Sequence, residues 1–302
     1  LKELVVLSGK GGTGKTTVTA AFARLARSVV VADCDVDAAD LPLVLAPRIE
    51  ERHPFVGGTQ ARIRADDCAT CGNCYEICQF NAVRRLAAAD GAVSYRIDPH
   101  ACEGCGVCAH FCPEQAIDCL PAPTGEWYVS RAHGRTLVHA RLAVAAENSG
   151  KLVTQVRDRA RAAARKERRE LMIVDGPPGV GCPVIASVGG ADLVLVVAEP
   201  TVAGIHDLER VVRLARHFQV EAVVAVNKYD LSPEQTEGLE AWCARERVPV
   251  LGRIPFDPGV VRALVAGRTI VDPPAPAAGA AVRALWREVQ RRLSTRVGAG
   301  GV

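Results

Sequence analysis

Nine residues near the start of the chain, Gly9-Lys10-Gly11-Gly12-Thr13-Gly14-Lys15-Thr16-Thr17, combine glycine, lysine and threonine in the order Gly-x4-Gly-Lys-Thr. Glycines let consecutive backbone N–H groups curl around phosphate oxygens, and a helix starting just after them adds partial positive charge. In such a loop Lys15 neutralises the β- and γ-phosphates, and the Thr16 hydroxyl ligates Mg²⁺. A glycine-rich turn that binds nothing is the bland alternative. The apolar run before the loop and the helical run after it are the context a phosphate loop requires, so the binding reading is preferred.

Three further polar groups stand at the ends of apolar runs. Asp33-Cys34-Asp35-Val36-Asp37 follows one, Asp175-Gly176-Pro177-Pro178-Gly179 a second, and Asn227-Lys228 a third. The carboxyl ends of parallel strands are where open α/β sheets bind their ligands, so these groups are candidates to face the same nucleotide.

Eight of the twelve cysteines lie between positions 68 and 112. They form two identical sets, Cys68-x2-Cys71-x2-Cys74-x3-Cys78 and Cys102-x2-Cys105-x2-Cys108-x3-Cys112, the second followed by Pro113 and the first by Gln79. This is bacterial ferredoxin spacing, in which three close thiolates grip one cuboidal cluster and the fourth crosses to the other. One [4Fe-4S] cluster would take Cys68, Cys71, Cys74 and Cys112, and the second Cys102, Cys105, Cys108 and Cys78. Zinc is the alternative, but its sites draw two ligand pairs from separated hairpins, which intervals of three, three and four residues do not supply. Ile63, Ala82 and Val83 recur as Ile97, Ala116 and Ile117 at the same offset of 34 residues as the cysteines, so the unit is an internal duplication.

Elements must hold these groups in place. Residues 4–7, 29–32, 171–174, 193–197, 222–226 and 248–251 are short, β-branched and apolar on both faces, as buried parallel strands are. Helical stretches at 15–27, 204–218, 233–246 and 258–266 alternate with them, which predicts an α/β fold, a doubly wound and mostly parallel sheet. The alternation stops after residue 45 and resumes near 149. An inserted small α+β ferredoxin-like domain at 58–122, between nucleotide-binding parts 1–57 and 123–302, accounts for the gap. Residues 127–129 and 136–140 read as a hairpin turning at His133-Gly134, and 272–279 as a linker. Val282, Leu285, Trp286, Val289 and Leu293 then share one face of a last helix that docks on the domain.

With 302 residues the chain can bury a sizeable core, and its 4% aromatic content suits such a sheet better than a β-sandwich. The formal charge of +3 falls to about −1 once two oxidised clusters are counted, so basicity says little about partners. The arginine-rich stretch 157–169 reads as a solvated helix rather than a nucleic-acid patch. No apolar run reaches membrane-spanning length, the first residues lack a signal peptide, and a reducing cytoplasmic setting is the expectation. Cys34, Cys119, Cys182 and Cys243 are expected as buried structural thiols.

The loop Lys10-Gly11-Gly12-Thr13-Gly14-Lys15-Thr16-Thr17 resembles the signature of the MinD, ParA, Mrp and dinitrogenase-reductase superfamily. The resemblance implies an ATP-stabilised homodimer in which Lys10 reaches the nucleotide of the facing subunit. It further implies that Asp35 orients the attacking water, Asp33 supports Mg²⁺, and Asp175 is the carboxylate holding Mg²⁺ through water, ahead of a mobile loop with Gly176 and Gly179. Asn227 falls at the adenine-reading position and Pro255 flanks the base, while Asp40 stands where the family often has asparagine. Cys182 resembles a ligand of the intersubunit cluster of dinitrogenase reductase. Nearly the whole chain, including Asn148-Ser149-Gly150-Lys151 and Gly181-Cys182-Pro183, resembles the subgroup with an inserted ferredoxin domain. The function implied is ATP-driven redox chemistry through two [4Fe-4S] clusters with an unidentified redox partner. Alternatives are a cluster carrier related to Mrp, serving an acceptor protein, and a MinD-like positioning ATPase, which would need a membrane-binding tail that the small residues 298–302 do not form. No nucleic acid and no stable membrane insertion are expected.

Overall fold

The computed structural model describes residues 1–143 and 149–295. Asn148 and residues 298–302, invoked above, lie outside the described residues. In chain order the elements are β1 (Lys2–Ser8), α1 (Lys15–Leu25), β2 (Val29–Asp33), α2 (Leu41–Leu45), β3 (Arg48–Ile63), α3 (Asn73–Glu76), β4 (Val83–Ala87), β5 (Val93–Ile97), α4 (Val107–His110), β6 (Ile117–Ala132) and β7 (Arg135–Leu142). There follow α5 (Ser149–Lys166), β8 (Leu171–Pro178), α6 (Cys182–Val188), β9 (Leu193–Ala198), α7 (Val202–His217), β10 (Glu221–Asn227), α8 (Pro233–Arg245), β11 (Val250–Ile254), α9 (Gly259–Val265) and α10 (Ala277–Thr295). Two compact units result: Leu1–His53 with Trp127–Arg141 and Ser149–Val302, and Pro54–Glu126 with Leu142–Asn148.

The first unit is built on the strand order β11-β10-β9-β1-β8-β2-β7. Strands β1, β8, β9, β10, β11, β2 and β7 pair in parallel throughout. Every residue of β2 and β9 is buried, because helices cover both faces, and this is why those runs read as continuously apolar. On one face Phe22 of α1 meets Trp286 of α10 with ring centroids 4.8 Å apart. Val282, Leu285, Trp286, Val289 and Leu293 are all buried in that core, so the apolar face of α10 is consumed by the fold. Burying each such side chain contributes about 1.5–3 kcal/mol. β6 and β7 meet at His133-Gly134, both with positive φ (49° and 76°), the backbone that a two-residue hairpin turn needs.

Three expectations are corrected. The last strand begins at Val250, not 248: Val248 is buried but its N–H bonds Cys243 O at the end of α8. The stretch 272–279 is not all linker, since α10 starts at Ala277. The arginine-rich stretch is helical as far as Lys166, the end of α5, but Arg157 is not solvated: it is 3% exposed and donates to Ala186 O (2.6 Å), Gly189 O (2.9 Å) and Glu3 Oε2 (2.8 Å).

In the second unit β4 and β5 pair antiparallel from Val83↔Ile97 to Ala87↔Val93. The duplicated sequence takes duplicated shapes. Gly72 and Gly106, at φ 79° and 77°, open the one-turn helices α3 and α4, and Asn81 and Gln115 take φ 51° and 49°. A small core of Ala61, Cys74, Val83, Ile97 and Ile117 packs against Ile63, Cys78, Cys102, Cys108 and Cys112.

Candidate functional site

Between β1 and α1 the chain turns through the glycine-rich loop. Gly12 and Gly14 hold φ values of 78° and 88°, which an L side chain resists, and a Cβ on Gly14 would stand 2.6 Å from Asn227 Nδ2. That amide donates to Thr13 O at 2.7 Å, so the end of β10 is stitched to the loop. Lys228 Nζ reaches Gly12 O at 3.5 Å.

The carboxyl ends of β1, β2 and β8 bring the acidic groups to Lys15. Its ammonium lies 3.2 Å from Asp175 Oδ1, 3.3 Å from Asp35 Oδ2 and 3.4 Å from Thr16 Oγ1. Asp35 N donates to Asp33 Oδ1 at 3.1 Å, and Thr19 Oγ1, one helical turn beyond Lys15, stands 2.9 Å from Asp175 Oδ1. Burial pushes the Asp33 carboxyl well above the usual carboxylate range, with Asp175 adding repulsion and Lys15 opposing. Burial raises Asp35 too, against Lys15. For Lys15 burial works downward, but Asp175, Asp35 and Asp33 outweigh it and hold the ammonium above its ordinary value. Asp33 Oδ2, Asp175 Oδ2 and Thr13 Oγ1 are buried without a hydrogen-bond partner among the described residues. Asp33 and Asp175 are register partners on adjacent strands, and their two orphaned carboxylate oxygens are donors suited to a hard divalent cation. The residues therefore fit Mg²⁺.

Beside the loop a cavity of about 230 Å³ is lined by Gly12, Gly14, Thr17, Asn227, Lys228, Pro255, Phe256, Val260 and Val261. Asn227 and Pro255 thus share one cavity. Phe256, Val260, Val261 and Thr19 escaped the sequence reading. Only the spacing of Thr19, four residues after Lys15 on the same helix face, carried a signal.

The cysteines of the second unit fall into two places. A cavity of about 220 Å³ is lined by Cys78, Cys102, Cys105 and Cys108 among apolar Ala61, Val83 and Ile97. A smaller one, about 20 Å³, is lined by Cys68, Cys71, Cys74 and Cys112 with Ile63 and Ile117. Cys78 Sγ accepts from Ala82 N and Cys112 Sγ from Ala116 N, each at 3.3 Å. Among the described residues no three His, Cys, Asp or Glu side chains converge on a single metal ion. A four-iron cube is gripped at its corners, with iron and sulfide filling the middle, so thiols spread around a cavity are the arrangement it fits. Cys34 and Cys243 are buried, and burial raises both thiols, Cys243 to about 12. Cys119 and Cys182 are exposed, contrary to the expectation of buried structural thiols: Cys119 sits in a stretch of β6 exposed to solvent, and Cys182 opens α6 just after a glycine.

The family model CbiA, described as the CobQ/CobB/MinD/ParA nucleotide binding domain, matches residues 4–270. The chain belongs to this family. It is a CbiA-family P-loop ATPase. An uncharacterized protein of Methanocaldococcus jannaschii is 34% identical over 231 residues, 76% of this chain and 78% of the relative. A cytosolic Fe-S cluster assembly factor Nubp1 homolog of Drosophila grimshawi is 24% identical over 290 residues, covering 89% and 75% of the two chains. Among solved structures, the septum site-determining protein MinD of Pyrococcus horikoshii OT3, complexed with Mg-ADP, superposes with a TM-score of 0.58 at 18% identity over 96% of each chain, a likeness of fold. Among the described residues no helix is long and apolar enough to cross a membrane.

One feature of this CbiA-family ATPase was absent from the sequence reading. Lys10 Nζ lies 3.2 Å from Glu199 Oε2, and Lys228 Nζ lies 2.5 Å from Glu199 Oε1. Burial works to raise the Glu199 carboxyl, but hydrogen bonds from Lys228 and Lys10 hold it below its ordinary value. The loop lysine expected to reach a facing subunit is therefore bound to its own chain.

Proposed function

We propose that this chain is an ATP-hydrolysing iron–sulfur protein that closes as a homodimer on ATP and couples that switch to electron transfer through two [4Fe-4S] clusters. The observation that carries the redox half is the sorting of the cysteines. Each set of three lines its cavity together with the fourth cysteine of the other set, which is the crossed ligation that ferredoxin spacing demands. Cys68, Cys71, Cys74 and Cys112 would hold one cluster, and Cys102, Cys105, Cys108 and Cys78 the other, and bound clusters supply one-electron redox chemistry. The N–H groups of Ala82 and Ala116 donate to Cys78 and Cys112, and hydrogen bonds to ligand sulfur tune potential.

At the nucleotide, residues Gly9, Gly11, Gly12, Gly14 and Thr17 shape the phosphate cradle and Lys15 neutralises it. Thr16, Asp33 and Asp175 hold Mg²⁺, Asp35 orients the attacking water, and Asn227 and Pro255 hold the base. Lys10 leaves Glu199 and crosses to the nucleotide of the facing subunit, while Gly179, at φ 89° just past β8, lets the loop there respond to hydrolysis; Gly176, expected in that loop, lies buried within β8. The reading places the protein in the cytoplasm, with a redox protein as its partner and without nucleic acid or an embedded membrane segment.

Electron paramagnetic resonance of anaerobically isolated, dithionite-reduced protein, with and without Mg-ATP, tests both halves. Signals of two [4Fe-4S] clusters that shift with nucleotide are the expected result. Iron-free protein after reconstitution, or spectra indifferent to ATP and ADP, would defeat the reading. The likeness to the Nubp1 homolog favours a second reading, a cluster assembly factor that releases its clusters. Incubation with an apo-ferredoxin during ATP turnover separates the two, since a relay retains its iron and a carrier loses it.

A further inference from the structure

The two halves of the second unit pair their strands alike. Arg64 N donates to Ala116 O at 2.8 Å as Asp98 N donates to Ala82 O at 2.7 Å, so β3 runs beside β6 as β5 runs beside β4. Within that shared frame two positions differ. In the first pair Arg85 of β4 stands opposite Tyr95 of β5. Tyr95 lines the smaller cavity, its hydroxyl oxygen 2.7 Å from where a Cβ on Gly72 would stand. At the repeat offset of 34 residues, Ala61 replaces Tyr95 and Cys119 replaces Arg85. Ala61 lines the larger cavity, so a methyl group stands there in place of a phenol.

Cys119 belongs with the cysteines of that larger cavity. Side chains alternate across a strand, so Cys119 shares the face of Ile117, which is buried in this unit's core, and not that of Asp118. Its Sγ is 3.9 Å from the position of a Cβ on Gly106, a residue of the cavity lining that follows Cys105 directly. Partial burial raises the Cys119 thiol and repulsion from Cys102 and Cys105 adds to it, while Cys119 is the first neighbour, after burial, to raise Cys108. Cys78, Cys102, Cys105, Cys108 and Cys119 thus gather five thiols at the second cluster site, where the first site has Cys68, Cys71, Cys74 and Cys112. Of the four lining the larger cavity, Cys105 is the exposed one.

We propose that Cys119 is an alternative ligand of the second cluster and exchanges with Cys105 at one iron. Cys119 gives up its proton and bonds the iron that Cys105 releases, and Cys105 takes the proton, so nothing is oxidised or reduced. Arg85 stands in the corresponding place of the first half, and the ligands of that site are fixed. The proposal rests on reading the cysteine sets as [4Fe-4S] sites.

Iron quantitation and iodoacetamide mapping of the anaerobically loaded full chain test it. Wild-type protein should hold about eight irons and be alkylated at Cys119. Cys105→Ala should keep about eight irons and protect Cys119 from alkylation, and Cys105→Ala with Cys119→Ala should lose about four. Cys71→Ala, at the first site, should lose about four with Cys119 in place. The irons left at the undamaged site report a folded unit in each variant. Loss of about four irons from Cys105→Ala alone, or their retention with Cys119 still alkylated, would overturn the exchange while leaving the cluster reading intact. Iron-free wild-type protein removes the cluster reading and the exchange with it.

Discussion

Lys15 is the counter-charge for carboxylates that would otherwise repel one another out of reach of water. Asp33 and Asp175 are fully buried, and each keeps an oxygen that nothing among the described residues satisfies. Removing the cation should therefore hurt the nucleotide-free protein as well as nucleotide binding. Lys15→Met is expected to lower stability by about 3 kcal/mol at pH 7, read from urea unfolding. The loss should shrink toward pH 5. Asp33 binds its proton more tightly folded than unfolded, so its contribution favours folding at low pH and declines as pH rises through its raised value. Acid thus supplies the neutralisation that Lys15 no longer does, and an equal loss at both pH values would count against this account. Glu199 is a restraint of the opposite kind, holding Lys10 and Lys228 on one carboxylate. Glu199→Gln should release Lys10 for a facing subunit, so that Mg-ATP dimers form at about fivefold lower protein concentration in sedimentation velocity, the worth of a pair near 1 kcal/mol. Unchanged dimerisation would show that the pair does not restrain Lys10.

Elements differ in how openly the sequence declares them, and the hairpin of β6 and β7 shows why. His139 of β7 is buried, stacked on Tyr128 with centroids 4.9 Å apart, and its Nε2 lies 2.9 Å from Ser130 Oγ. Burial lowers its pKa to about 4. The unfolded chain protonates this ring near pH 6.5 and the folded chain does not, so the associated stability is complete above that value and is lost as pH falls toward 4. At pH 5 the loss should be about 2 kcal/mol relative to pH 7. His139→Gln, which keeps a polar partner for Ser130, should remove that component of the pH dependence in denaturant unfolding, and an unaltered slope would refute it. The turn of this hairpin was legible because His133-Gly134 supplies positive φ, and β1, β2, β8, β9 and β10 because they are apolar on both faces. Strand β3 was not legible. Its buried positions are Phe55, Gly57 and Ala61, of which only Phe55 is large and apolar, and Pro54 and Gly58 punctuate the run. Arg157 was misjudged for a related reason: one arginine among several is buried because Glu3, 154 residues away, and the carbonyls of Ala186 and Gly189 meet it. The phosphate loop, by contrast, was readable residue by residue, since its glycine dihedrals and its lysine are chemically irreplaceable. Glu199 is a single carboxylate in the loop after β9, where spacing carries no message and only the fold gives it partners.

On the scale of the whole molecule, the family to which the chain belongs accounts for the nucleotide-binding unit, while the second unit carries the cysteine sets on which the proposed redox chemistry rests. The duplication within Pro54–Glu126 makes the proposal for that unit unusually easy to attack, because crossed ligation couples each half-repeat to the opposite cavity. Loaded wild-type protein should contain about eight irons per chain. If the halves held their metals independently, Cys78→Ser would damage the site of its own set, Cys68, Cys71 and Cys74. With crossed ligation it damages the site of Cys102, Cys105 and Cys108 instead. The double variant Cys78→Ser with Cys105→Ser should then lose about four irons, no more than the more damaged of its parents, while Cys78→Ser with Cys71→Ser should lose nearly all. Iron quantitation beside protein determination reads this directly. The reverse order, with the Cys71 combination sparing about four irons, would show that each set closes on itself.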